Sequence, residues 1–83
     1  MNLEILTPEK KIFEGQVYGV IMPGVSGMFE VLNNHAPILS ALKEGTLKVL
    51  TTKTESQNYA IKSGFVEVIN NVTCVLIEGA VEV

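Results

Sequence analysis

The chain has 83 residues, 47% of them apolar, and its six lysines and nine glutamates give a net charge of −3. Arginine is absent, so the planar side chain that grips phosphate or guanine bidentately is missing, and we set nucleic acid aside as a partner. No apolar run approaches the roughly 20 residues of a membrane helix, so we expect no direct membrane insertion. The length predicts a single small domain, residues 1–83. One cysteine and no basic, apolar leader at the start predict an intracellular protein in a reducing compartment.

The amino-terminal part of the chain predicts short strands separated by turns. Apolar and polar residues alternate from Asn2 to Leu6, and Thr7-Pro8-Glu9 then turns the chain. Lys11–Phe13 and Gln16–Met22 predict two further strands around a break at Glu14-Gly15. The adjacent lysines at positions 10 and 11 are typical of a solvated surface.

The middle of the chain carries the least ordinary pattern. Pro23, Gly24 and Gly27 indicate a tight turn, because glycine permits positive φ and proline removes a donor. Met28 to Leu32 predicts a strand. After His35-Ala36-Pro37 comes an apolar segment on what we interpret as a bend, with at most one turn of helix. Apolar side chains on a connection need a surface to cover them, which predicts a docking module. The apolar residues of this bend are Ile38, Leu39, Ala41 and Leu42.

The carboxy-terminal half predicts four more strands. They cover Thr46–Thr52, Gln57–Lys62, Phe65–Ile69 and Val72–Ile77, with a polar hairpin tip at residues 53–56. Asn70-Asn71 joins the last two strands, and asparagine tolerates the positive φ that a two-residue hairpin turn requires. The predicted fold is therefore all-β, a flattened antiparallel sandwich of short strands closing toward a barrel.

Few side chains are candidates for catalysis or for binding a metal or phosphate. His35 is the single histidine and has no aspartate to orient it, so we expect it to hydrogen-bond the turned backbone rather than to act as a base or metal ligand. Cys74 alternates with Val72 and Leu76, and we interpret it as a small buried hydrophobic residue. No helix with a Lys-Ser/Thr start follows the Gly24/Gly27 pair, so a phosphate site is not indicated. We expect a non-enzyme with no cofactor, no metal and no small-molecule substrate.

The central segment resembles a known family. It contains a strand ending in Pro23-Gly24, then Gly27-Met28-Phe29-Glu30-Val31-Leu32, then a run from His35 to Gly45. This pattern is similar to the epsilon subunit of the F-type ATP synthase. The opening from Leu6 to Gly15 and the later strand from Ser63 to Val68 agree with it. The resemblance covers the family's amino-terminal β domain, whereas the carboxy-terminal helical hairpin of many members is missing.

This resemblance implies a role and partners. An epsilon subunit is a rotor component of the central stalk that couples the gamma subunit to the membrane c-ring, and the catalytic nucleotide sites belong to other subunits. The location implied is peripheral, on the cytoplasmic face of the cell membrane. Without the hairpin we expect no ATP binding and no braking of ATP hydrolysis through inserted helices.

The resemblance also implies contact residues. It assigns gamma-subunit contact to Thr7, His35 and Ser40, and c-ring contact to Gly27 and Met28 at a hairpin tip. Relatives often carry an acidic residue where Met28 stands, a glycine at position 30 and Pro-Gly at positions 33 and 34. These departures bear on the polarity of the c-ring contact.

A group-carrier domain of the lipoyl or biotinyl kind is the alternative function. Such domains are also acidic β-sandwiches of about this length, and they present a modified lysine at a hairpin tip. Lys53 is the one lysine so placed, but the methionine or acidic residue expected beside it is absent.

Overall fold

Ten short strands, separated by connections of one to five residues, fill the computed structural model, which describes residues 1–83. Because the chain folds back so often, each strand needs only five to seven residues, and the last only two, to cross the molecule. None of the chain is helical, so no helix is long and apolar enough to cross a membrane. The strands are β1 (Asn2–Leu6), β2 (Lys11–Gln16), β3 (Gly19–Gly24), β4 (Gly27–Leu32), β5 (Ile38–Leu42), β6 (Gly45–Leu50), β7 (Ser56–Ile61), β8 (Ser63–Ile69), β9 (Val72–Glu78) and β10 (Val81–Glu82).

The strands form one curled sheet that folds into two layers. The first layer has the order β5-β8-β9-β1-β2, and the second has the order β4-β3-β6-β7-β10. Between β3 and β5 the sheet is joined by a single pair, Gly24 with Leu42. All pairs are antiparallel except β1 with β9. The predicted all-β sandwich is confirmed, and the parallel pair is the one departure from its expected antiparallel arrangement.

The core fills the space between the layers. From the first layer come Leu3, Ile5, Val66, Val68, Val75 and Ile77, and from the second Val20, Met22, Val31, Leu47, Val49, Tyr59 and Ile61. Each is at most 7% exposed. Fully burying one such aliphatic side chain is worth roughly 1.5–3 kcal/mol, so this cluster is the main source of stability. Thr73 is the buried polar residue, and its hydroxyl lies 3.7 Å from Met1 Sδ.

The strand directions place the connections at two opposite ends of the sandwich. The His35 end carries the connections at residues 17–18, 33–37, 51–55 and 70–71. The Thr7 end carries those at 7–10, 25–26, 43–44, 62 and 79–80. Asn70 and Asn71 have φ of 49° and 62°, which confirms the predicted hairpin turn.

Three local predictions are wrong. β2 runs through Glu14-Gly15, and the break falls instead at residues 17–18, where Val17 N–H donates to Met1 O. Pro23 stays within β3, because only its donor is missing and its carbonyl still accepts from Lys43 N–H at 2.8 Å. The predicted bend, for which at most one helical turn was expected, is strand β5. Its five residues all pair with β8, and this long-range pairing overrides the local signal.

Candidate protein-docking surfaces

The outward side of the first layer is strongly apolar. It carries five large hydrophobic side chains that are 44% to 75% exposed, and we call this surface the apolar face. Soluble proteins rarely leave so many large apolar groups together in water without a partner to cover them. Its members are Leu39, Phe65, Ile69, Val72 and Leu76.

Strand register makes these side chains neighbours. Phe65 stands directly opposite Leu76, and Ile69 stands opposite Val72. Leu39 lies diagonally across from Phe65, since β5 and β8 pair residue 39 with 67 and residue 41 with 65. Directly opposed side chains lie within contact distance in an antiparallel pair. The exposed groups therefore form a connected patch.

A row of acidic residues crosses the middle of the apolar face. The register aligns Glu67, Cys74, Glu4 and Glu14 across β8, β9, β1 and β2. Lys11 Nζ lies 3.0 Å from a carboxylate oxygen of Glu4 and 3.0 Å from one of Glu14. The hydrogen bond to Glu4, then that to Glu14, raises the pKa of Lys11 above its usual value. Glu67 has no such cation, so the row presents an uncompensated negative charge beside Phe65.

Cys74 corrects an expectation. It is half-exposed on the apolar face, whereas Thr73, Val75 and Ile77 point into the core. The segment is apolar on both faces, so alternation alone could not choose between the two registers, and a one-residue shift exchanges the faces. Partial burial, followed by the charges of Glu4 and Glu67, raises the pKa of the Cys74 thiol.

Thr7 lies at the edge of this face, at the Thr7 end. Its backbone N–H and its hydroxyl both donate to Lys10 O, at 2.8 and 3.1 Å, and the hydroxyl also accepts from Lys10 N–H at 3.1 Å. The turn is thereby fixed. A crevice of about 390 Å³ follows it, with Pro8, Ala41, Phe65 and Leu76 in its walls. An apolar side chain from another protein could enter here.

His35 lies at the other end of the first layer, in the loop before β5. Its N–H donates to Leu32 O at 3.2 Å, and its ring Nδ1 lies 2.7 Å from Ala36 O. Because a carbonyl only accepts, Nδ1 must carry the proton, which leaves Nε2 free for a partner. The predicted bond between His35 and the turned backbone is confirmed.

Ser40 is not on a bend and does not belong to the apolar face. It is half-buried in β5, opposite the fully buried Val66, so its side chain points between the layers. A second crevice, of about 360 Å³, brings it together with His35, Phe29 and Ile38. The outward neighbour of Ser40 is Leu39, which is 75% exposed.

Gly27 and Met28 lie where predicted, at the tip of the β3–β4 hairpin. Gly27 has φ of 131°, a conformation that favours glycine, and Met28 is 60% exposed. The tip is held against β5, because Val25 N–H donates to Ala41 O at 3.2 Å. This tip shares the Thr7 end with the Thr7 turn.

The structure therefore divides the predicted contact residues. His35 and Ser40 meet in one crevice, Thr7 lies diagonally across the first layer, and Gly27 and Met28 lie on an end surface. Sequence reasoning missed Phe65 and Leu76. The available signal was that β8 and β9 carry apolar residues on both faces, which is typical of strands covered on both sides.

Two other kinds of site were considered, a metal site and a lysine that carries a covalently attached group. No three His, Cys, Asp or Glu side chains are grouped so as to hold a metal ion. Lys53 lies in the connection at residues 51–55, where Thr52 Oγ1 accepts from Glu55 N–H at 3.0 Å. Lys53 therefore lies at the His35 end of the sandwich, opposite the end that carries the crevice beside Thr7.

The whole chain matches one family. Residues 1–83 match the family described as "ATP synthase, Delta/Epsilon chain, beta-sandwich domain". The ATP synthase epsilon chain of Chlorobium limicola is 40% identical over 77 residues, which cover 93% of this chain and 88% of that one. The epsilon chain of Chlorobaculum tepidum is 41% identical over 77 residues, which again cover 93% of this chain and 88% of that one. The Synechocystis epsilon chain is 39% identical over 80 residues, 96% of this chain and 58% of that one.

Two solved structures share the fold. A chain of the Euglena gracilis mitochondrial ATP synthase, determined with OSCP, F1 and c-ring, superimposes with a TM-score of 0.90 at 23% identity, covering 96% of this chain and 51% of that one. A chain of the Tetrahymena thermophila central stalk and c-ring gives 0.82 at 20% identity, covering 98% and 65%. At these identities the likeness concerns the fold alone.

Proposed function

Because this chain belongs to the family of ATP synthase delta/epsilon chain β-sandwich domains, we propose that it is a rotor subunit of the central stalk, coupling gamma to the c-ring. The observation that carries the proposal is the match of the full chain to that family, with about 40% identity to epsilon chains. The same match favours this function over a lipoyl or biotinyl carrier. The role is non-catalytic and peripheral, at the cytoplasmic face of the cell membrane.

The gamma subunit docks on the apolar face. A partner lying from His35 to Thr7 crosses β5, β8, β9 and β1 diagonally, and so passes over Leu39, Phe65 and Leu76. Burying these groups provides the free energy, at roughly 25 cal/mol for each Å² of apolar surface removed from water. The uncompensated Glu67 favours a partner with a basic residue near the centre of its footprint.

The three residues assigned to gamma contact have different roles. Thr7 fixes the turn beside the crevice, and His35 offers a free ring nitrogen at the opposite corner. Ser40 supports the contact from behind, because its half-buried side chain keeps β5 and Leu39 in place. Both corners are set before binding by local hydrogen bonds, which reduces the entropy lost on docking.

The c-ring contact lies at the Thr7 end. Met28 projects from a hairpin tip whose backbone is fastened to β5, so force can pass from the tip into the first layer. Methionine is flexible and polarizable, and it packs against irregular surfaces. The gamma and c-ring contacts thus occupy a face and an end of one rigid sandwich, as torque transmission requires.

Binding to purified gamma subunit and to c-ring from the same organism tests the proposal. Leu39→Ser should weaken gamma binding at least about fivefold, as is typical of an interface anchor, and leave c-ring binding unchanged. Met28→Ser should do the reverse. Each variant is the control for the other, since both side chains are at least 60% exposed. Absence of gamma binding by the wild-type protein would overturn the proposed function.

A further inference from the structure

One side chain bridges the loop that contains His35 and the β8–β9 turn. Asn34 N–H donates to Asn71 Oδ1 at 2.8 Å, and Asn71 Nδ2 donates to Asn33 Oδ1 at 2.8 Å. Because a backbone N–H only donates, it fixes which Asn71 atom is the oxygen and leaves the amide nitrogen for Asn33. The bonded residues are 37 and 38 apart in sequence. Asn71 thus ties together two segments that are distant in the chain.

The loop has little else to hold it. The other hydrogen bonds of residues 33–37 run from His35 to Leu32 and Ala36. All of these residues except His35 are exposed. A segment with few buried contacts opens easily in the native state. The two bonds to Asn71 are its long-range restraint.

The turn itself does not need the Asn71 side chain. Asn70 and Asn71 both have positive φ, which glycine adopts without strain. Asn70 has the same backbone conformation, is exposed, and makes no side-chain hydrogen bond to the loop. The neighbouring asparagine therefore serves as a matched control for loss of the side chain.

We propose that Asn71 is a positioning residue that holds the His35 loop in its docking conformation. The amide of Asn71 orders Asn33 and Asn34, and so fixes the direction in which the next residue, His35, presents its free Nε2. A loop ordered beforehand loses less conformational entropy when a partner binds. The docking part of this inference rests on the proposed function, whereas the ordering of the loop is a property of the free protein.

Amide hydrogen exchange of the free protein tests the ordering. In Asn71→Gly the Asn34 amide should exchange about fivefold faster or more, as expected for the loss of one hydrogen bond, while amides of β6 keep their protection. In Asn70→Gly the Asn34 amide should exchange at the wild-type rate. Asn71→Asp keeps the acceptor for Asn34 N–H and should restore most of the protection. Equal exchange in the two glycine variants would overturn the inference.

Gamma binding tests the consequence. Asn71→Gly should bind gamma several-fold more weakly than Asn70→Gly, mainly through a slower association rate. Faster exchange at Asn34 with unchanged gamma affinity would show that the loop is ordered for another reason and would overturn the positioning role. If wild-type protein fails to bind gamma, the proposed function falls, and the exchange result still decides whether Asn71 orders the loop.

Discussion

The outer faces of the two layers expose apolar residues in different ways. The second layer exposes Met28, Leu32 and Val81, but Glu30 separates the first two along β4, and Val81 lies on β10 at the far edge of the layer. In the first layer Glu67 likewise separates Phe65 from Ile69 along β8, but Leu39 lies opposite Glu67 and diagonal to both, and so joins the exposed pairs into the apolar face. Exposure of a single hydrophobic residue is ordinary in soluble proteins, and contiguity is what marks an interface.

The largest expected effect concerns the backbone under the apolar face. A Cβ at Gly64 would lie 2.5 Å from Leu76 O, whereas one at Gly15, in the same layer, would meet nothing closer than Phe13 at 4.0 Å. Gly64→Ala should destabilise the fold by about 2–3 kcal/mol through overpacking, and Gly15→Ala should be neutral or slightly stabilising. Urea unfolding measures both. Equal urea midpoints for the two variants would mean that β9 lies farther from Gly64 than this 2.5 Å contact implies.

The two sides of β5 should respond differently to one substitution. Ser40→Arg introduces bulk and charge between the layers and should lower the free energy of unfolding by about 1–3 kcal/mol. Leu39→Arg, on the apolar face, should leave the thermal midpoint within a degree or two. Thermal unfolding followed by circular dichroism compares them. A stable Ser40→Arg protein would place that side chain outside the core.

Gamma affinity should distinguish the two outer faces directly. Phe65 and Val81 are 59% and 62% exposed, one on each face. Phe65→Ser should cost about 1–2 kcal/mol of binding free energy, as for a residue at the centre of an interface, and Val81→Ser should cost nothing measurable. Calorimetric titration with gamma gives both values. Weakening by Val81→Ser alone would move the interface to the second layer.

The smallest expected effects are those of pH on stability, through Cys74, Tyr59 and Lys11. The folded-state pKa of Cys74 and that of Tyr59 are both raised, chiefly by burial. A raised pKa of an acidic group means that its protonated form is favoured by folding, so stability is complete below the unfolded pKa and falls as pH rises above about 9. The raised pKa of Lys11 acts in the same direction, since its ion pairs are lost when the amine deprotonates.

The rate at which Cys74 is alkylated measures how strongly its surroundings disfavour the thiolate. Iodoacetamide at pH 8.5 should react more slowly with the folded protein than with protein in urea, because the thiolate is disfavoured in the fold. Glu67→Gln should speed the reaction, and Glu55→Gln, at the His35 end, should not. An unchanged rate in Glu67→Gln would leave burial and the Glu4 carboxylate as the causes of the raised pKa.

Most strands and the Asn70-Asn71 turn could be predicted from the sequence, because they depend on alternation and on local φ preferences. The places of the candidate contact residues in the fold were predicted in part. His35 lies in a connection and Gly27-Met28 begins β4 directly after a hairpin turn, as the turn residues at both places indicated. Strand β5 was not predicted, since Ile38–Leu42 becomes a strand only by pairing with β8.

The sequence by itself determined that the chain is all-β, that it has one histidine and no aspartate, and that it resembles the epsilon family. Only the tertiary structure decided that Cys74 faces outward, that Ser40 faces inward, and that Phe65 and Leu76 meet in one patch. The physical reason is register. When a strand is apolar on both faces, its local pattern is the same in two alignments, and only pairing with neighbouring strands selects which side is buried.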